Sequence, residues 1–196
     1  MSKRRNATRN IDSAPQQVRI IAGCWKGRNI PVIKKEDVRP TPNRVRETVF
    51  NWLQNSLPGS RCLDLFAGSG VLGIESVSRG AAHATIVDLD REIIALLKSQ
   101  LELLETNAVD LICGDSFDYI ANTEQQFDII YLDPPFQKVD LKKLLDQVNS
   151  ANILKPHAQI YMESLPGQLP QELPPNWQWR RQSKASQVAY GLIATG

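Results

Sequence analysis

The chain has 196 residues (22.0 kDa), with 42% apolar and 22% charged residues and a formal charge of +2. These ordinary values exclude a disordered or low-complexity chain, and without a run of about 18 apolar residues there is no candidate membrane-spanning helix. The small net charge hides an asymmetry. Residues 1–50 hold 12 Lys and Arg against 4 Asp and Glu, while residues 51–196 hold 11 against 17, so a basic front (+8) precedes an acidic body (−6).

Residues 1–16 are polar and basic without periodicity, and the reading assigns 1–17 to a flexible arm. No apolar core follows Lys3, Arg4, Arg5 and Arg9, so a secretory signal is not expected and a cytoplasmic location is. Two short β-type runs, 18–23 and 27–33, flank a glycine-punctuated turn and predict a small hairpin. Thr41-Pro42 reads as an N-cap with Pro in the first helical position. Val45, Val49, Trp52 and Leu53 then recur at helical spacing, predicting a helix over 42–56. Residues 18–58 are thus an extension, and 59–196 are the main domain.

From residue 60 the patterns alternate. Strands are predicted over 63–66, 84–87, 109–112, 127–132 and 159–162, and helices over 70–79, 91–105 and 141–148. Such alternation implies right-handed crossovers and a mostly parallel sheet with helices on both faces. Five residues of 164–176 are Pro or Gly, too many for a long helix. The runs 177–182 and 188–194 then predict a closing antiparallel hairpin. The thiols Cys24, Cys62 and Cys113 are far apart and read as reduced and mostly buried; with two histidines and no CxxC pair, no metal site is expected.

Chemistry concentrates where strands meet helices. Gly68, Gly70 and Gly73 form G-x-G-x-x-G between a strand and a helix, a turn that lets a ligand approach free N–H groups. Asp88 lies 20 residues beyond Gly68, where an acid can bind ribose hydroxyls. Asp64 before the glycines would repel a pyrophosphate but suits a cationic amino-acid end such as that of S-adenosylmethionine. Asp115-Ser116 follows the third strand; Asp115 can accept from an adenine amine, cap a helix, or do both. Asp133-Pro134-Pro135-Phe136 follows the fourth strand, at the carboxyl end where ligands bind in open α/β sheets. Its two prolines remove two donors. An acceptor-only corner beside an aromatic ring suits an exocyclic amino group on a flat base.

Together, Asp64 with the glycine turn, Asp88, Asp115 and Asp-Pro-Pro-Phe resemble class I S-adenosylmethionine-dependent methyltransferases that act on nucleobase amines. The segments Arg19 to Arg28, Arg39-Pro-Thr41, Arg44 to Leu53, Tyr161-Met-Glu-Ser164 and Lys184 to Tyr190 make the chain similar to the RsmD family. That family comprises bacterial guanine-N2 methyltransferases of small-subunit ribosomal RNA. The resemblance implies a Rossmann-like α/β fold, with a seven-stranded sheet and an antiparallel last strand. It implies that Asp64, Phe66, Gly68 and Gly70 line the methionine side of the cofactor, that Asp88 takes the ribose, and that Asp115 with Ser116 takes the adenine. Asp133 and Pro134 would hold the target amine, and Phe136 would stack on the base. The partner implied is ribosomal RNA within a small subunit carrying ribosomal proteins, met by a monomer.

Lys26, Arg28, Arg44 and Arg46 are the candidates for phosphate contacts. Arg39 and Thr41 join them, with closure over the cofactor and helix capping as their other readings. Three rival functions share parts of this pattern: an adenine-N6 DNA methyltransferase, a non-catalytic RNA-binding assembly factor, and a nicotinamide dehydrogenase. The first lacks a separate target-recognition domain. The intact acids and glycines argue against the second, and the lack of a clear hydride-transfer site argues against the third.

Overall fold

The computed structural model describes residues 16–33, 41–136, 138–185 and 187–196. The chain opens on an antiparallel pair, β1 (Gln16–Arg19) and β2 (Asn29–Val32), followed by α1 (Asn43–Leu53). Then come β3 (Arg61–Asp64), α2 (Val71–Ser78), β4 (His83–Asp88), α3 (Arg91–Leu103), β5 (Val109–Cys113) and α4 (Ser116–Asn122). The chain closes with β6 (Phe127–Leu132), α5 (Leu141–Ser150), β7 (Leu154–Ser164), β8 (Gln178–Ala185) and β9 (Val188–Ala194).

Seven strands form one sheet in the order β5-β4-β3-β6-β7-β9-β8. β9 runs antiparallel to both neighbours, and the other pairings are parallel. The order reverses between β3 and β6, the topological switch point at which a doubly wound sheet opens a crevice beyond its carboxyl ends.

Alternation along the strands sorts side chains onto two faces. Cys62, Ile129, Tyr131, Tyr161, Tyr190 and Leu192 join Val45, Val49, Phe50, Leu72 and Leu97 of α1, α2 and α3 in one core. Leu63, Ile130, Leu132, Ile160, Met162 and Ile193 join Ile120, Leu144 and Val148 of α4 and α5 in the other. The extension thus shares its core with the main domain.

Several expectations are corrected. The first helix starts after a Pro42 N-cap without a side-chain cap bond, so Thr41 is not its cap. Helix α4 follows the capping reading of Asp115, though no range is predicted for it, because its seven residues are too few to show a helical repeat. β7 begins five residues earlier than the expected 159–162, because Pro156 and His157 interrupt the apolar pattern. Of the thiols only Cys62 is buried; Cys24 and Cys113 are exposed. The flexible-arm assignment falls on residues 1–15, outside the described residues apart from its last two positions.

The largest correction concerns Arg46, expected to contact phosphate. Arg46 is fully buried. Its guanidinium donates to Glu75 Oε2 at 2.6 Å, to the Arg19 carbonyl at 2.9 Å and to Asn43 Oδ1 at 2.6 Å. Glu75 also accepts from Arg79, whose guanidinium lies 4.6 Å from the Phe50 ring centroid. Arg46 therefore ties β1 and α1 to α2 instead of facing a ligand.

Candidate active site

A buried acid ends β3. Asp64 is 1% exposed and accepts from the Gly73 N–H at 3.1 Å, so it also fastens the first turn of α2. Burial, with the Asp88 charge behind it, lifts its carboxyl to about 7. The intervening turn takes left-handed backbone at Gly68 (φ 50°) and Gly70 (φ 65°), which residues with a Cβ rarely adopt. A Cβ on Gly70 would stand 2.7 Å from Leu97, so α3 packs directly on this turn. A Cβ on Gly73 would meet Ile86 at 2.7 Å, which makes the third glycine a contact between α2 and β4. Phe66 is half-buried beside the turn.

Asp88, at the end of β4, braces the same turn. Its Oδ2 accepts from the Gly68 N–H and its Oδ1 from the Asp90 N–H, both at 2.8 Å. Asp90 caps α3. Asp115 is exposed beyond β5 and accepts from the Phe117 and Asp118 N–H groups, so the capping reading holds. Ser116 is corrected in part: its hydroxyl donates to the Leu65 carbonyl rather than outward.

Asp133 follows β6 and is half-buried, with Pro134 buried and Phe136 half-buried behind it. Its face follows from parity, since Tyr131 packs with α1 and Asp133 is two residues on. Thr41, 7% exposed, donates from Oγ1 to Asp133 Oδ2 at 3.3 Å. Thr41 therefore lies in the acidic corner, not on an RNA-facing surface.

A third acid, Glu163 near the end of β7, was not assigned from the sequence. It is 2% exposed and accepts from the Tyr161 hydroxyl at 2.6 Å. Burial lifts its carboxyl to about 7. Burial, then the charges of Glu163 and Asp64, hold Asp133 well above the usual carboxylate range, while the Thr41 hydroxyl pulls the other way. The signal was present: Glu163 is a lone acid ending an apolar strand, in phase with Tyr161, as Asp64 is with Cys62.

Asp64, Asp133 and Glu163 thus share one face at the carboxyl ends of three adjacent strands. Among the described residues no Lys or Arg forms an ion pair with any of them. Uncompensated buried acids favour a cationic or amine-bearing ligand. The remaining candidates lie elsewhere. Lys26, Arg28 and Arg44 are exposed, with Arg28 donating to the Leu103 carbonyl at 2.8 Å. Arg39 falls outside the described residues.

Comparison with known proteins bears on this geometry. Residues 18–194 match the family model described as Conserved hypothetical protein 95. The chain is 39% identical over 181 residues to the ribosomal RNA small subunit methyltransferase D of Escherichia coli K12, covering 92% of this chain and 91% of that one. The solved structure of the Escherichia coli protein yhhF superposes with a TM-score of 0.83 at 38% identity, covering 92% and 98%. SMU.776, solved in complex with SAH, shares the fold at 20% identity and a TM-score of 0.70, covering 94% and 57%.

Proposed function

Since the chain belongs to the Conserved hypothetical protein 95 family, we propose that it methylates the exocyclic N2 amine of a guanine in small-subunit ribosomal RNA, with S-adenosylmethionine as methyl donor. One observation carries the reading: three acids without a cationic partner among the described residues gather at the switch point, beside a turn braced by Asp88. That charge pattern fits a ligand with an ammonium and a sulfonium. Asp64 faces the cationic end, Gly68 and Gly70 bring the backbone close, and Asp88 and Asp115 offer acceptors to hydroxyls and an amine. When bound, S-adenosylmethionine supplies a methyl group on an electron-poor sulfur.

The protein's own task is to prepare the nucleophile. A guanine amine has its lone pair delocalised into the ring. Asp133 Oδ and the Pro134 carbonyl accept its two hydrogens, which favours a pyramidal nitrogen with its lone pair directed at the methyl. Thr41 holds Asp133 in place, and Phe136 stacks on the base. Positioning supplies most of the acceleration, and Asp133 offsets the charge that grows on the amine. The surplus proton then leaves to water. The guanine must be unstacked at a cost of a few kcal/mol, which a loop or bulge lowers. The substrate form that fits best is a cytoplasmic small subunit carrying ribosomal proteins, engaged by a monomer.

Tritiated methyl incorporation into small subunits, naked ribosomal RNA and DNA tests the reading. Label is expected in N2-methylguanine of small-subunit RNA. Label in adenine of DNA, or none in any nucleic acid, would overturn it.

A further inference from the structure

The acidic total of the main domain conceals a second basic element. Residues 51–172 hold 8 Lys and Arg against 17 Asp and Glu, whereas residues 173–196 hold Arg180, Arg181 and Lys184 and no acid. All three cations are exposed, and all lie on β8, the terminal strand of the sheet. β8 runs in the same direction as β7, so its last residues reach the edge where Asp133 and Glu163 lie. Lys184 pairs with Ala189, which pairs with Ser164 beside Glu163; Arg181 pairs with Leu192, which pairs with Tyr161. Cross-strand partners share a face, so Arg181 and Ser183 stand on the α1 side with Leu192 and Tyr190.

On that side, between α1 and β8, lies a groove of about 400 Å³ lined by Trp52, Gln159, Arg180 and Arg181. Trp52 is half-buried and stacks on Tyr190 with ring centroids 5.5 Å apart. Arg44 is exposed in the first turn of α1, close after Thr41 of the acidic corner. The groove thus has two arginines on the β8 wall and an aromatic ring on the α1 wall, the combination that binds single-stranded nucleic acid without reading its sequence.

We propose that β8 and α1 form a track for the RNA strand flanking the target guanine, with Arg180 and Arg181 contacting its phosphates. The proposal rests on the RNA-methylating reading above and names the surface that reading lacks. Lys184, three residues beyond Arg181, stands on the opposite face with Ala189 and Ser164, so Arg180 and Arg181 are the β8 cations met by an RNA strand that leaves the acidic corner along the α1 side. Two arginines and no acid line the groove, which favours a polyanion over a peptide strand docking on the sheet edge. Charges on an edge strand also deter edge-to-edge aggregation, and the experiment separates the two roles.

The full chain carrying Arg180→Ala and Arg181→Ala together is compared with the unmodified protein on small subunits from cells lacking it. The expected result is a KM raised about tenfold or more, with kcat and S-adenosylmethionine affinity unchanged. The slope of log affinity against log salt falls by roughly one and a half, at ~0.7–0.9 per lost phosphate contact. The variant Arg180→Lys, Arg181→Lys keeps most of that slope. An unchanged KM and slope would overturn the proposal, and oligomers forming with KM unchanged would show that the charges only guard the edge. Failure of the unmodified protein to methylate any RNA would instead overturn the reading beneath it.

Discussion

Thr41 Oγ1 donates to Asp133 Oδ2 at 3.3 Å, joining positions 92 residues apart. The hydroxyl enters from the residue before the α1 cap and occupies one lone pair of a carboxylate that also lies near Glu163. The extension therefore reaches the candidate active site as well as carrying exposed cations.

Replacing Asp133 with Ala should lower methyl transfer roughly 100-fold or more, because it removes preorganised charge at the reacting amine. S-adenosylmethionine affinity, measured by calorimetry, should stay near that of the unmodified protein. Full turnover in that variant would refute the role given to Asp133.

Thr41→Val should reduce kcat about tenfold, the order expected when one charge-assisted hydrogen bond is lost. Thr41→Ser keeps the hydroxyl and should restore most of the rate. A merely structural Thr41 would instead show equal losses of melting temperature in both variants with kcat intact.

Arg46→Ala should destabilise the fold by about 3–5 kcal/mol, since it leaves Glu75 buried with only Arg79 as an ionic partner. Calorimetric melting should fall by roughly 10 °C for a chain of this size. Lys26→Ala and Arg44→Ala should leave melting almost unchanged and reduce the salt dependence of RNA binding. A similar salt effect from Arg46→Ala at a temperature where it stays folded would contradict its assignment as a tie between elements.

Gly70→Val should abolish cofactor binding and weaken the fold. Valine would need left-handed backbone at φ 65°, and its Cβ would stand 2.7 Å from Leu97. Native affinity by calorimetry would remove the glycine turn from the cofactor site.

Asp64 and Glu163 both titrate near 7 because they are buried. Their folded pKa values lie above the unfolded ones, so the folded state binds more protons between about pH 4 and 7. The free protein should therefore lose stability as pH rises through that window, the reverse of a salt-bridged carboxylate. With Asp64 proposed to face its cationic end, S-adenosylmethionine should bind more tightly as pH rises through 7 and that carboxyl ionises. Melting curves and titration calorimetry at pH 6 and 8 check both signs; equal affinity at the two values would remove Asp64 from the cation site.

Much of this architecture was legible from residue patterns. Apolar runs of four to six residues alternating with helical periodicity mark the strands and most helices, because burial on a sheet or under a helix imposes its period locally. The glycine turn and Asp-Pro-Pro-Phe were equally legible, since backbone freedom and missing donors are properties of the residues themselves. What only the tertiary structure decided was pairing between distant residues. A lone arginine on a helix reads as a phosphate ligand until helix packing brings Glu75 within 2.6 Å of Arg46. Glu163 is marked locally only as a lone acid near the end of an apolar strand and Thr41 only as a residue before a helix; sheet register and the path of the extension bring them to Asp133. The physical reason is that period and conformational preference are short-range, whereas the field and hydrogen bonds at a carboxylate depend on whatever the fold places beside it.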